Sequence, residues 1–331
     1  MGTEPEQPEC SDFVKAVEKT LDDIDPANSY PARRPLLAHY TSLPVLEKIL
    51  ISKEIWMSHP LLMNDREEMQ AIIDAGAYRI AMWPQLRSAC RTQERYEHLI
   101  QAFNVARSQY ITFARHYTFA VCFAEHRAND DDGKLSMWRG YGANGNGVAL
   151  VFDTAKIDPA DGPAPSPFVL SNVVYLDNMQ RTGWIDDTLT RLTALIQSHE
   201  PPLADLEKAS LRYFERLKLF GLFTKHKGFA EEDEWRFVYM GERDPEGKFQ
   251  HLLTYLIGPN GPRPKMRVPF VDTTNIGNGG LTLDNLVNRI ILGPTLNDQL
   301  SLLAVTKMIE QADANLLPRL RVSGIPFRSQ Q

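Results

Sequence analysis

Cysteine is scarce in this sequence. Its 331 residues hold three, Cys10, Cys90 and Cys122. They are too few and too scattered for a disulfide framework or a zinc site, and they suit a reducing compartment, so a cytoplasmic location is expected. Long apolar runs are missing as well. No window of about eighteen uninterrupted apolar residues occurs, which excludes a helical membrane span. The acidic, proline-bearing start, MGTEPEQPECSDF, lacks the basic opening and apolar stretch of a secretory signal. Its Met1-Gly2 opening does not continue into a myristoylation motif. Positive charge is not in excess: 36 basic residues face 42 acidic ones, for a net charge of −6. Such a chain has no overall pull toward nucleic acid. Arg87, Arg91, Arg95 and Arg107 crowd one stretch, but glutamates interrupt it and it reads as a solvated helix face. Several enzyme signatures are also missing. There is no HExxH or other metal spacing, no GxSxG elbow, no Walker loop and no dinucleotide-type glycine spacing, so no metal is expected.

What remains is a chain that is 43% hydrophobic and 24% charged, able to build a core without covalent staples. Residues 1–35 read as an N-terminal arm with one short helix, begun at Ser11 or Asp12, with Val14, Val17 and Leu21 inward. Residues 36–323 read as a single α+β domain and 324–331 as a tail. Leu36 to Tyr40 predicts a strand. Ser42 predicts a helix cap, with Pro44 in the first turn and Leu46, Ile49 and Leu50 inward. Ile55 to Ser58 predicts a second strand. From about 66 to 115 the pattern is helical, an insertion in which Pro84 separates two apolar stripes. The first is Met69, Ile72, Ile73, Ile80 and Met82; the second is Leu86, Tyr96, Leu99, Phe103 and Val105. Tyr117 to Ala124 is apolar enough for a strand buried on both faces. Further strands are expected over 148–152, 168–176, 235–240, 289–292 and 320–322. Helices are expected at about 186–224, in two pieces, and over 297–310. The pattern is that of an α+β protein with a mixed or split sheet and helical insertions.

Four polar groups stand out. His39, Tyr40, Thr41 and Ser42 sit where a strand ends and a helix begins, a place where clefts form; a structural histidine with a helix cap behind it is the simpler account of this group taken alone. Pro60, Asn64, Asp65 and Glu67 form a polar loop whose plainest role is to start a helix. Trp138, Arg139 and Tyr141 precede Gly142, Gly145 and Gly147. Aromatics offer stacking faces and glycines allow close backbone approach, but a tight connecting loop is the simpler account. Glu231, Glu232, Asp233 and Glu234 stand directly before the aromatic strand Trp235-Arg236-Phe237. In a strand, Glu232 and Glu234 would share a face and two carboxylates could divide labour; an exposed acidic turn with Arg236 as counterion is the alternative. Upstream, Lys225, His226 and Lys227 add charge able to steer phosphate.

Taken in order, these segments resemble a bacterial family, domain of unknown function 2971. The resemblance runs from about residue 36 to 310. It rests on His39 to Ser42, Ile55 to Ser58 with Asn64, Asp65 and Glu67, and Phe123. It continues through Met137, Trp138 and Tyr141, Glu232 to Arg236, and Ile291 to Pro294. A weaker resemblance, in the strand-end histidine and the E-x-E at a later strand, is to the ADP-ribosyltransferase superfamily. It implies a sheet core of ADP-ribosyltransferase-like type and NAD as a consumed substrate. His39, with Tyr40, Thr41 and Ser42 beside it, would bind the adenosine-side ribose. Glu234 would stabilise the oxocarbenium-like transition state as nicotinamide leaves, and Glu232 would orient the acceptor. Trp56, Tyr117 or Tyr141 would stack the nicotinamide, with Trp138 and Arg236 completing the site. The expected activity is ADP-ribosyl transfer or NAD hydrolysis, as a toxin or phage-defence effector. Its acceptor would be protein or nucleic acid, and an antitoxin or regulatory partner would accompany it. The rival expectations are a non-enzymatic module sensing a nucleotide or partner, and a nuclease-like effector using Asp65, Glu67, Glu232 and Glu234 around magnesium.

Overall fold

A computed structural model describes residues 11–21, 29–62, 66–157, 166–258, 261–270 and 281–327. The chain divides into two units, a larger one of residues 26–63, 117–173 and 228–331 and a smaller one of residues 1–25, 64–116 and 174–227.

In the larger unit one long strand is the hub of a ten-stranded sheet. This is β3 (Thr118–His126), whose apolar run leaves little of it exposed. One edge of β3 pairs antiparallel with β8 (Glu234–Met240), from Thr118↔Met240 to Ala124↔Glu234. Beyond β8 lies β5 (Phe168–Asn172). The other edge has two partners. Its C-terminal end pairs with β1 (Leu36–Ser42), from Leu36↔His126 to Ala38↔Ala124. Its N-terminal end meets β2 (Glu54–Ser58) at Ser58↔Ala120. Between those ladders, at Val121 to Phe123, the sheet splits. One arm continues from β1 through β4 (Gly147–Asp153), β11 (Val287–Leu292) and β12 (Leu320–Val322). The other continues from β2 through β10 (Gly261–Pro269) and β9 (Leu253–Gly258). Among the described residues only the β11–β12 pair in this sheet is parallel, so the sheet is mixed, as the sequence predicts.

The β1–β4–β11 arm is covered on one face by α2 (Leu43–Ser52) and α10 (Gln299–Asp313). Leu46, Ile49 and Leu50 of α2 join Leu150, Ile290 and Ile309 in that core. Pro44 occupies the first turn of α2, and Lys53 ends the helix in a left-handed conformation, φ 54°. The short α9 (Leu283–Leu286) adds Leu283 and Leu286 to the same core. On the opposite face α6 (Leu135–Gly140) sets Met137 and Trp138 against Ala38, Tyr40, Ala149 and Val151.

The smaller unit is helical: α1 (Asp12–Leu21), α3 (Arg66–Ala81), α4 (Pro84–Ala89), α5 (Gln93–Thr112), α7 (Asn178–His199) and α8 (Leu203–Leu222). A parallel pair, β6 (Val174–Leu176) and β7 (Thr224–His226), joins them. Val14 N–H donates to the Ser11 hydroxyl, so Ser11 caps α1. Asp177 and Gln180 form a reciprocal capping box on α7. Leu99 and Phe103 of α5 are buried, and Phe103 packs edge-on against Phe214 of α8.

Three expectations need correction. The strand expected over 168–176 is two strands, β5 and β6, divided at Val173, whose N–H bonds Glu234 O while that of Val174 bonds Phe223 O. Met82 and Val105, assigned to apolar stripes, are 64% and 49% exposed. Met82 falls past the end of α3 and Val105 lies off the buried Leu99–Phe103 line. Strands β9 and β10 were not expected at all, because Pro262, Pro264 and Pro269 argue against a strand. Those prolines sit in a ladder whose far neighbour β9 is an edge strand.

Candidate functional site

Directly paired residues of neighbouring strands share a sheet face, and faces alternate along each strand. The Ala38↔Ala124 and Ala124↔Glu234 pairs therefore put Ala38, Tyr40, Glu234 and Arg236 on one face. Ser58↔Ala120 puts Ser58 and Trp56 on that same face. His39 alternates to the other face, the side that α2 and α10 cover. Its ring meets Phe123 edge-on at 5.7 Å, and Phe123 in turn pairs with Trp235. The structure therefore does not bring His39 and Glu234 into one cleft.

His39 instead serves the split. Its Nδ1 lies 3.0 Å from the Cys122 carbonyl, on the stretch of β3 where neither β1 nor β2 continues its ladder. The partner is a carbonyl, so Nδ1 carries the proton and Nε2 is the acceptor of the neutral ring. Burial lowers the pKa of His39 and the Cys122 bond pulls it back only in part. Ser42 makes no side-chain cap. Thr41 is buried beside it.

Glu234 and Arg236, two residues apart on one face of β8, form a bidentate ion pair: Nε–Oε1 is 2.7 Å and Nη2–Oε2 is 3.0 Å. Their side chains are 5% and 6% exposed. Glu232 is not in the strand. It ends a 3₁₀ turn, Lys227–Glu232, and Asp233 then takes a left-handed conformation, φ 43°, before β8 begins. The expected alternation of Glu232 and Glu234 is broken there. Glu232 accepts a hydrogen bond from the Tyr141 hydroxyl at 3.1 Å, and Asp233 pairs with Lys134 Nζ at 2.5 Å. These two bonds tie the acidic turn to the segment around α6. Beneath it Tyr40 and Trp138 meet edge-on at 4.9 Å. Lys134 N–H donates to the Tyr40 hydroxyl, and Trp138 donates to Asp132 O. Burial pushes the Tyr40 pKa up to about 12.

The other predicted residues separate. Trp56 is 37% exposed and donates its indole N–H to Glu54. Tyr117 lies at the Thr118↔Met240 end of the β3–β8 ladder. That is six residues, about 20 Å, from the Glu234 end. Lys225, His226 and Lys227 belong to the smaller unit, where Lys227 pairs with Asp177. Asn64 and Asp65, and the side chain of Glu67, lie outside the described residues. Among the described residues no three His, Cys, Asp or Glu side chains assemble a metal set. The glycine loop is a packing device. A Cβ on Gly147 would stand 2.3 Å from Thr41 O, and one on Gly293 would stand 2.2 Å from Gly145 O.

The residues that α6 and the acidic turn bring together are also those that comparison with known families picks out. Residues 137–237 match the DUF2971 family. That family is described as a protein of unknown function, and its match opens at Met137 and Trp138 and closes on Glu234, Arg236 and Phe237. The DUF2971 segment is thus shorter than the 36–310 span over which the motif order runs. Comparison with curated proteins and with solved structures returned no significant match. No helix among the described residues is long and apolar enough to cross a membrane. Sequence reasoning missed Lys134, which precedes the DUF2971 match and anchors Asp233; its signal, a lone lysine after three aspartates, was too common to single out.

Proposed function

We propose that the chain binds an adenine nucleotide, with NAD as the leading candidate, on the sheet face that carries Trp56, Glu234 and Arg236, next to the turn that ends in Glu232. One observation carries this: an exposed tryptophan and a buried Glu–Arg ion pair lie on the same face, on either side of the point where the sheet splits. Trp56 offers a stacking surface and Glu232 with Tyr141 an acceptor–hydroxyl pair for ribose, while Arg236 stays engaged with Glu234. His39, on the opposite face, holds the split and takes no part in binding.

A second reading is NAD-consuming glycosyl transfer on a sheet of ADP-ribosyltransferase-like type, favoured by the place of Glu234 on that face. In it the C1′–N bond breaks and its electron pair neutralises the leaving nicotinamide. The Glu234 carboxylate stabilises the oxocarbenium-like ribose, and an oxygen of water or acceptor adds to C1′ and loses its proton. The toxin or phage-defence role belongs to this reading and rests on the resemblance alone.

Calorimetric titration of NAD, ADP-ribose and ATP, with nicotinamide release followed in the same samples, tests both. Nucleotide binding is expected, weakened roughly 5- to 100-fold by Trp56→Ala through lost stacking. Absence of binding by all three nucleotides overturns the proposal. Nicotinamide release that persists in EDTA and disappears in a folded Glu234→Gln variant establishes the second reading.

A further inference from the structure

Strand β10 carries Arg263, Lys265 and Arg267 at alternate positions. Lys265 pairs with Ser58 and Arg267 with Trp56, so all three cations share the face that bears Trp56. None of them makes an ion pair with a carboxylate among the described residues. The only polar contact of the Lys265 side chain among the described residues is a bond from its Nζ to Ser58 Oγ at 2.6 Å. Their neighbours on the outer side, Leu256 opposite Arg263 and Thr254 opposite Lys265, are uncharged. The acid nearest them on β2, Glu54, takes the Trp56 indole N–H. Burial, and to a lesser degree the adjacent Arg263, lower the Lys265 pKa.

The contrast with the basic stretch of α4 and α5 is informative. There Arg87 bonds Gln93, Arg91 pairs with Glu200, Arg95 bonds the Cys90 and Pro201 carbonyls, and Arg107 pairs with Asp74. Those arginines are spent on the fold. Arg263 and Arg267 of β10 make no side-chain bond of that kind among the described residues, in a chain whose net charge is −6.

Alternate residues of a strand stand roughly 6.7 Å apart, so the stripe spans about 13 Å. That exceeds one phosphate and fits a repeating anion. At its end a half-exposed tryptophan offers a face to an unpaired base, which a duplex does not present. We infer that the β2–β10 face binds single-stranded nucleic acid, with successive phosphates along Arg263, Lys265 and Arg267 and a base stacked on Trp56. It stands apart from the nucleotide proposal except for Trp56.

Fluorescence anisotropy of labelled pyrimidine 12-mers, DNA and RNA in separate arms, tests it with the full chain over a salt series. Three phosphate contacts predict a slope of log K against log salt of about −2. The Arg263→Gln/Arg267→Gln variant, at exposed or half-exposed positions, is expected to keep its melting temperature and shrink that slope by about 1.4. Trp56→Ala is expected to weaken binding roughly 5- to 100-fold with the slope unchanged. A slope unchanged in the double variant overturns the inference. So does a silent Trp56→Ala with equal competition by heparin, which marks a patch for any polyanion. The double variant is also titrated with NAD: unchanged NAD affinity with lost oligonucleotide binding separates this inference from the nucleotide proposal, and each can fail alone.

Discussion

The buried ion pair of Glu234 and Arg236 makes a demanding prediction about stability. The two side chains are 5% and 6% exposed, and both carboxylate oxygens bond the guanidinium. Removing one partner of such a pair breaks a bidentate charge pair in a low-dielectric interior, which costs about 3 to 5 kcal/mol. Glu234→Gln keeps the shape and loses the charge, so its cost is electrostatic. Arg236→Met removes the other partner. Each is expected to lower the unfolding free energy by about 3 kcal/mol, a factor above 100 in the folding equilibrium. The double variant loses the same pair interaction only once, so its loss is expected to fall short of the sum of the singles by at least about 1 kcal/mol. Urea unfolding followed by tryptophan fluorescence measures all three, with Trp235 between the two residues as a local reporter. Single variants within about 0.5 kcal/mol of the parent, the range of ordinary surface changes, would refute the reasoning. Loss of function in Glu234→Gln must then be judged on folded protein only, because stability and chemistry meet in one residue.

Three further outcomes are expected. His39 has its pKa lowered by burial, so below about pH 6.5 the unfolded chain takes the proton first and stability falls with pH until the folded pKa is reached; an NMR titration placing His39 at or above 6.5 contradicts this. Buried His126 is shifted the same way, so His39→Gln should flatten the slope only in part. Tyr40→Phe leaves the Lys134 N–H without its acceptor and should cost about 1 to 3 kcal/mol, read by thermal melting; a neutral effect counts against the Tyr40–Lys134 bond. Gly147→Ala drives a Cβ to 2.3 Å from the backbone oxygen of Thr41, so it should cost about 2 kcal/mol or more, and an unchanged melting temperature would mean that β1 and the glycine loop yield easily.

Much of the fold was legible because its signals were local. Leu46, Ile49 and Leu50 sit at helical spacing after Pro44, and α2 forms there with those residues buried. The apolar run from Thr118 to Ala124 announced the central strand. Strands β9 and β10 were not legible, because prolines at 262 and 264 outweigh the pattern around them; the Asn260-Gly261 dipeptide was the available hairpin signal. At the site, the residue types were visible and their faces were not. Whether His39 and Glu234 share a cleft depends on the parity of two ladders through β3, and no local pattern encodes that. The break at Asp233 was equally hidden, since a left-handed aspartate leaves no mark in a run of four acids. The stripe of β10 was readable as alternate basic residues only once the strand itself was known.

The most direct test of the nucleotide proposal is a crystal structure of the full chain grown with NAD or ADP-ribose. The ligand is expected on the Trp56 face of the sheet, its base or nicotinamide ring against the indole and a ribose toward Glu232 and Tyr141. A ligand seated on the His39 side, against Phe123 and α2, would contradict it.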